Sequence, residues 1–516
     1  MEYITFKVQR FDPEKDTAPH FEEYKVPFTR GMRILDGLNY IHDNYDGSLA
    51  YRWVCRAGQC GSCAVEIDRK VGLACKTEVK EGTKEVTLQP LYIFSIIKDL
   101  VVDIDKIWNE LSSIKPYVER ETYSKEFEIV HQEKIMDARE LRQCIECWSC
   151  VASCPVTRVA WDKTMVPLAG EKMAMLDAHT GDILDRIGMA VKYGLYACTV
   201  CRACTEVCPQ EIDILGKALL KLRSRAVERS LVSPKTRDFL ENVNLRGNPY
   251  GEARMKRGKW AEETEIRRYE KGDELLYYVG CVGSYDTRAQ VAARAFGNIL
   301  CKCGANISFG ILSEEESCDG NEVNNLGEEG LFQELAEENI QKFKDLGIKK
   351  IVTLSPHSYN AIKNDYPEFG GDFEVYHYTQ LLRDLIKDEK LDLSKFDAKV
   401  AYHDSCFLGR YNNEYDAPRE ILNAIPGIEL VEMERNRENS LCCGGGGGNF
   451  YTDFLGEYKD SPARIRIREA YDVGASILAV ACPICLTMLE DALKVEGLEE
   501  KMAIKDISEI VNEICI

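Results

Sequence analysis

Apolar and polar residues alternate along Tyr3-Ile4-Thr5-Phe6-Lys7-Val8, the two-residue period of a strand with one buried face. Ala64-Val65-Glu66-Ile67 and Glu85-Val86-Thr87-Leu88 repeat that signal, and Met32–Asn44 reads as a helix between them. Residues 1–110 therefore read as an α+β domain of short strands around one helix. From about 130 to 235 the pattern turns helical, with Gly170–His179, Arg186–Tyr193 and Gly216–Arg229 as helices, so 111–235 reads as an α-helical domain. The stretch 236–272 carries Asn248-Pro249-Tyr250-Gly251 and Met255-Lys256-Arg257-Gly258-Lys259, and reads as a linker whose charges are solvated.

Beyond residue 272 the chain repeats itself. Cys281 and Cys406 are each followed by thirty-five residues and then a paired site, Ser317-Cys318 in one copy and Cys442-Cys443 in the other. Strands Ile351-Val352-Thr353-Leu354 and Ile477-Leu478-Ala479-Val480 then lead into Ser355-Pro356-His357-Ser358 and Cys482-Pro483-Ile484-Cys485. Both copies, 273–396 and 397–516, run strand, helix, strand, helix, which predicts α/β layers with parallel strands. The cysteines fall at the carboxyl ends of strands, where open α/β sheets bind ligands.

A chain of 516 residues accommodates three or four such domains. Its net charge of −20 argues against nucleic acid and against an anionic membrane surface as partners. The longest apolar run, around 475–488, is interrupted by Pro483, so a membrane link would need another subunit. Met1-Glu2-Tyr3-Ile4-Thr5 opens straight into a strand pattern with no signal peptide. Disulfides are therefore not expected, and the cysteines suit a reducing cytoplasm.

Those cysteines change the picture most. Twelve of the twenty-two fall into three spacings: Cys55, Cys60, Cys63 and Cys75; Cys144, Cys147, Cys150 and Cys154; Cys198, Cys201, Cys204 and Cys208. The first is close to a plant-type [2Fe–2S] pattern, with Gly58 and Gly61 letting backbone amides approach the cluster. The other two, each closed by Cys-Pro, follow the run used by paired [4Fe–4S] clusters, where the fourth cysteine serves the opposite cluster. Structural zinc is disfavoured because zinc sites split into two separated CxxC pairs. In the second copy Cys406, Cys442, Cys443, Cys482 and Cys485 meet only on folding, and adjacent Cys442-Cys443 suits a site where one thiolate bridges two irons. Gly444–Gly448 is not a phosphate loop, since no Gly-Lys-Ser/Thr follows. The first copy has Ser317, Ser355 and Ser358 at three of the five corresponding positions, and serine is a hard, rarely ionised ligand. Cys281, Cys301, Cys303 and Cys318 remain there as a possible fourfold set, with buried thiols the commoner case. His357 is a ligand, a proton donor or a satisfied histidine. Arg410 and Arg437 are candidates to hold anionic groups, with structural salt bridges as the rival reading.

Residues 1 to about 235 resemble the iron–sulfur subunit of succinate dehydrogenases and fumarate reductases. The matching residues are Arg56-Ala57-Gly58-Gln59-Cys60-Gly61-Ser62-Cys63, Ile97-Lys98-Asp99-Leu100-Val101-Val102-Asp103 and both Cys-Pro tetrads. The resemblance implies a β-grasp [2Fe–2S] ferredoxin-like domain and a helical bis-[4Fe–4S] domain. It assigns Cys144, Cys147, Cys150 and Cys208 to one cluster and Cys198, Cys201, Cys204 and Cys154 to the other. Most family members lack a cysteine at Cys201 and bind [3Fe–4S] there; Cys201 implies a second [4Fe–4S] cluster of lower potential, less suited to quinone. Residues 273–516 resemble the cysteine-rich (CCG) tandem of heterodisulfide reductases through His403-Asp404-Ser405-Cys406, Glu434–Asn439 leading to Cys442-Cys443-Gly444, and Cys482-Pro483-Ile484-Cys485. That resemblance implies one non-cubane [4Fe–4S] cluster on Cys406, Cys442, Cys443, Cys482 and Cys485.

With both modules on one chain, the whole resembles the iron–sulfur subunits of thiol-dependent fumarate reductases. The resemblance implies oxidation of coenzyme M and coenzyme B thiols near the five cysteines, and electrons passed to a partner flavoprotein whose FAD reduces fumarate to succinate. The alternative is a pure electron-transfer subunit of a succinate/fumarate or 2-hydroxy-acid dehydrogenase linked to quinone or ferredoxin. The cluster set amounts to about 14 irons per chain.

Overall fold

The computed structural model describes residues 2–122, 132–262, 264–302, 307–455 and 458–515. The chain forms two compact units, Met1–Leu195 with Arg202–Arg225, and Tyr196–Cys201 with Ala226–Ile516.

The first unit opens with five strands, β1 (Tyr3–Arg10), β2 (His20–Pro27), β3 (Ala64–Ile67), β4 (Lys70–Leu73) and β5 (Glu85–Gln89), in the order β2-β1-β5-β3-β4. β1 and β5 run parallel and the other neighbours antiparallel. The helix Ile34–Asn44 lays Leu38 and Ile41 on Phe6, Val8 and Leu88. Gly37 permits the close approach, since a Cβ there would stand 2.3 Å from the Phe6 ring. The alternation of β1 extends to Arg10, but its polar face is not solvated. Arg10 is buried, and it donates to Asp99, Asp46 and Glu22, which keeps the charge paired. The helical part holds Pro167–Asp177 and Arg186–Lys192, then a π-helical stretch Ile214–Leu220 continuing as the helix Lys221–Glu228.

The second unit contains two four-stranded parallel sheets. β6 (Leu275–Tyr278), β7 (Phe309–Gly310), β8 (Lys350–Thr353) and β9 (Glu374–His377) lie in the order β9-β8-β6-β7. β10 (Ala398–Tyr402), β11 (Ile428–Val431), β12 (Ile477–Val480) and β13 (Ala503–Asp506) lie in the order β11-β10-β12-β13, the same path through the sheet. The repeats share one apolar core, in which Tyr277, Phe296 and Tyr378 of the first meet Val400, Ile507 and Ile510 of the second. The helix Ala289–Lys302 packs on the helix Ile507–Ile514, and Ser508 donates to the Ala292 carbonyl at 3.1 Å.

The stretch 236–272 differs from a solvated linker. It begins inside the helix Pro234–Arg246, capped by Ser233 and ended by Gly247 at φ +69°. Arg257 and Trp260 are both buried. The charge turns inward because Glu316 and Cys281 lie within its reach. Among the described residues, no helix is long and apolar enough to cross a membrane.

Candidate metal centres

In the first unit the Cys55 loop is wound so that amides meet sulfur: Ala57 and Gln59 N–H donate to Cys55 Sγ at 3.4 and 3.3 Å. Gly61 (φ +70°) lets this loop touch the next one, since a Cβ there would lie 2.8 Å from Cys147 Cα. Cys60 stands beside Cys55, and Cys63 beside Cys75. Burial alone would raise Cys60, but the hydroxyl of Ser62 and the Cys55 contact hold its thiol down at about 6. Burial and the neighbouring Cys75 push Cys63 up to about 12. Cys60 and Cys63 thus hold their protons unequally, as closely set thiols do.

The two tetrads use one loop geometry. Glu146 and Trp148 between the first three cysteines have φ of +53° and +61°, and Val200 and Arg202, at the matching places, have +46° and +66°. A β-branched residue such as Val200 is rare in that region, so the turn is held by its surroundings, and it aims backbone amides at the sulfurs. Val200 N–H donates to Cys198 Sγ at 3.4 Å. Thr157 N–H donates to Cys154 Sγ at 3.4 Å, where Cys154 caps the helix Pro155–Ala160. Burial first, and then the nearby sulfurs of Cys144, Cys147, Cys204 and Cys208, drive the Cys150 thiol far up. Cys204 and Cys208 of the second tetrad both lie near Cys150 of the first. Cys198 and Cys201 belong to the second unit, Cys154 and Cys204 to the first.

In the second unit β10 delivers Cys406 and β12 delivers Cys482, and Cys485 lies in the first turn of the helix Pro483–Glu496. Cys442 and Cys443 arrive on the loop before the glycines. All five are buried. Cys485 and Cys443 Sγ lie 3.4 Å apart. Cys406 lies beside Cys442, Cys442 beside Cys443, and Cys485 beside Cys482, close enough for each to shift its neighbour's proton. Neighbouring thiols hold Cys442 and Cys443 toward thiolate. Cys482 is lowered as well, because bonds from Cys485 and His357 outweigh its burial. Cys406 and Cys485 keep their protons.

Around these sulfurs stand buried polar atoms with no partner among the described residues: His403 Nε2, Ser405 Oγ and Arg410 Nη2. Arg466 donates to His403 Nδ1 at 3.2 Å, and burial with the Arg466 charge lowers the imidazole to about 3. The ring is neutral with its remaining proton on Nε2. The ligand atoms of His403, Cys443 and Cys485 lie within 4.8 Å of one another. Five sulfurs ringed by unsatisfied donors fit an anionic iron–sulfide cluster, whose sulfides accept hydrogen bonds. His403 was legible only as part of the His-Asp-Ser-Cys motif; its role as a donor depends on Arg466, sixty-three residues away.

Gly446 packs against the loop Tyr196–Cys201, where a Cβ would meet the Thr199 carbonyl at 2.6 Å. Tyr411 donates to the Val200 carbonyl and Arg410 to that of Cys201, both at 2.6 Å. Thr199 Oγ1 lies 3.7 Å from Cys442 Sγ, and Cys201 stands beside Cys442 and helps hold it toward thiolate. Arg410 is thereby committed to holding this loop, with further bonds to the Glu438 and Ser440 carbonyls. Arg437 pairs with Asp416 at 2.9 Å on the surface. Neither lines the cavity of about 200 Å³ that opens beside Cys443, bounded by Gly444, Asn449, Tyr458, Arg464 and Met488.

The first repeat holds a different arrangement. Arg257 donates to Cys281 Sγ at 3.5 and 3.6 Å and to Glu316 at 2.7 Å. Cys281 hydrogen-bonds to Cys318 and is held toward thiolate by that contact and by Arg257, against its burial. Ser358 donates to Asp319 at 2.7 Å, and Ser355 caps its helix by accepting from His357 N–H. The serines serve the fold. Cys301 lies in the last turn of the helix Ala289–Lys302, near Glu265 and Lys302, and Cys303 lies outside the described residues. The twenty other described cysteines are free, whereas Cys515 is disulfide-bonded, an exception to the expected all-thiol chain.

A chain that carries a [2Fe–2S] loop, two tetrads and a five-cysteine site is an iron–sulfur oxidoreductase subunit with a heterodisulfide-reductase-like tandem. Family models agree: a 2Fe-2S iron-sulfur cluster binding domain matches residues 5–109, a 4Fe-4S dicluster domain 140–212, and a cysteine-rich domain 275–363 and 400–490. The chain is 31% identical over 495 residues to a fumarate reductase (CoM/CoB) subunit of Methanothermobacter marburgensis, covering 96% of both, and it belongs to that family. It is 34% identical over 448 residues to the Bacillus subtilis protein named probable iron-sulfur-binding oxidoreductase FadF, covering 76% of this chain and 62% of that one. It is 31% identical over 468 residues to EtfAB:quinone oxidoreductase of Syntrophomonas wolfei, covering 80% and 65%. The chain thus spans less than two thirds of the length of these two relatives.

Proposed function

We propose that the chain is the iron–sulfur, thiol-oxidising subunit of a fumarate reductase, acting on coenzyme M and coenzyme B thiols and paired with a FAD-bearing flavoprotein that reduces fumarate to succinate. One [2Fe–2S], two [4Fe–4S] and one non-cubane [4Fe–4S] cluster, held by the seventeen cysteines assigned from the sequence, would supply one-electron transfer from thiol to flavin. The observation that carries the reading is the contact of Cys201 with Cys442 beside an open cavity. A thiol entering that cavity meets Cys443 and Gly444, a residue with no side chain of its own. Gly444 N–H donates to Cys442 Sγ at 3.3 Å, and the Arg410 guanidinium lies close enough to raise the negative charge the site tolerates. Cys442 hands the site on to the loop of the second tetrad without an intervening residue. A cytoplasmic setting accords with the twenty free thiols.

A pure electron-transfer subunit linked to quinone has support in the quinone oxidoreductase relative, but it leaves the cavity beside Cys443 without a use. The purified complex separates the two. Thiol-dependent fumarate reduction without quinone is expected; quinol-dependent reduction with no response to thiols would overturn the reading.

A further inference from the structure

The incomplete repeat has lost its own ligand set, yet its residues turn toward the complete one. His357 occupies the place in Ser355-Pro356-His357-Ser358 that Ile484 occupies in Cys482-Pro483-Ile484-Cys485, and the two side chains line one small cavity. The His357 ring is buried and stands beside Cys482, close enough for the two groups to shift each other's protonation. Its Nδ1 lies 2.8 Å from Glu322 Oε1, and the other oxygen of Glu322 accepts the Gly448 N–H at 2.7 Å. The face of the ring packs on Phe407, the residue after Cys406, with centroids 4.1 Å apart, and Phe407 in turn stacks on Tyr411. Three ligand-bearing segments of the second repeat are thus tied to one histidine of the first.

We propose that His357 is a positioning residue for the five-cysteine site, donating a hydrogen bond from the incomplete repeat to the Cys482 sulfur of the complete one. The inference rests on the reading that these cysteines hold a cluster. Set between a carboxylate and a sulfur, the ring is fixed in orientation from both sides, and Phe407 keeps it in plane. A donor to a ligating thiolate withdraws electron density from the sulfur, which favours the reduced cluster and raises its potential. Glu322 fixes the ring and the Gly448 amide together, so the donor and the glycine backbone keep one register. This gives the degenerate copy a reason to be retained: it has exchanged ligands for the groups that tune its neighbour's ligands.

The test compares wild type, His357→Gln and His357→Leu in the anaerobically purified full chain with its clusters, by iron content, electron paramagnetic resonance and redox titration. His357→Leu should keep its iron but alter the signal of the site and lower its midpoint by a tenfold change in the oxidised-to-reduced ratio, about 59 mV for one electron. His357→Gln, which keeps an N–H donor, should recover much of the shift. Unchanged potential and signal in His357→Leu at wild-type iron content would overturn the proposal. So would equal loss of iron in both variants, which marks a purely structural role. A wild type holding only about 10 irons overturns the cluster reading itself, since four irons of the expected set are then missing.

Discussion

Arg257 offers the sharpest single test of how the first repeat is built. Replacing it by methionine keeps the volume roughly constant and removes the cation that reaches Cys281 and Glu316 through hydrogen bonds of 2.7 to 3.6 Å. Breaking a buried ion pair from one side costs about 3–5 kcal/mol, because the remaining carboxylate stays buried. Here the lower end applies, since Glu316 keeps the N–H groups of Val279 at 3.1 Å and Gly280 at 2.9 Å. The thiolate of Cys281 can also take up a proton once its partner has gone. At about 2–3 kcal/mol per molar urea, a loss of about 3 kcal/mol moves the midpoint down by roughly 1–1.5 M. Trp260, buried three residues away, reports the transition by its fluorescence. The double variant Arg257→Met with Glu316→Gln should regain part of the loss, since no charge is then stranded. A midpoint within about 0.3 M of wild type in the single variant would refute the picture of a buried charge held by this site.

Other outcomes follow from the same geometry. Cys406→Ser should lower the iron content from about 14 to about 10 per chain, with the other cluster signals intact, as counted by iron assay and electron paramagnetic resonance. Gly446→Ala forces a methyl to within 2.6 Å of the Thr199 carbonyl; it should disturb the Cys201–Cys442 contact and slow thiol-driven reduction of the tetrad clusters in stopped flow, while leaving the [2Fe–2S] signal unchanged. Asp506 is buried, and that burial lifts its carboxyl to about 7 from an ordinary 3.8, although Ser508 and Tyr378 donate to it. The folded state therefore holds the proton more tightly than the unfolded one, and stability from this group is full below pH 3.8 and is lost as pH rises through about 7. Asp506→Asn should flatten the melting temperature between those values and melt higher than wild type at about pH 8.

The candidate site was largely legible because iron–sulfur ligation is written in local spacing: Cys-x2-Cys-x2-Cys winds one turn, and its left-handed residues Glu146, Trp148, Val200 and Arg202 follow from that winding. The tandem was legible for a different reason, the equal intervals from Cys281 and Cys406 to their paired sites. Parallel order then followed from alternating strands and helices. What escaped was everything fixed by burial across long separations. Met255–Lys259 is basic on paper, yet Arg257 is internal because Glu316, fifty-nine positions on, gives it a buried partner. Arg410 carries a charge suited to a ligand, but backbone carbonyls of Cys201, Glu438 and Ser440 use its donors first.

Ser317, Ser355 and Ser358 in place of cysteine ligands also have a physical consequence that a count of cysteines conceals. A cluster-binding repeat must surround sulfur with donors, whereas a repeat without a cluster must neutralise its remaining thiols by other means. Arg257 does this for Cys281, and it converts the former ligand position into a buried ion pair. That frees His357 and Glu322 to face the second repeat, where their partners are Cys482 and the Gly448 amide. The asymmetry between the copies is therefore one arrangement rather than decay on one side: the cation closes the first site, and the histidine and carboxylate beside it serve the second.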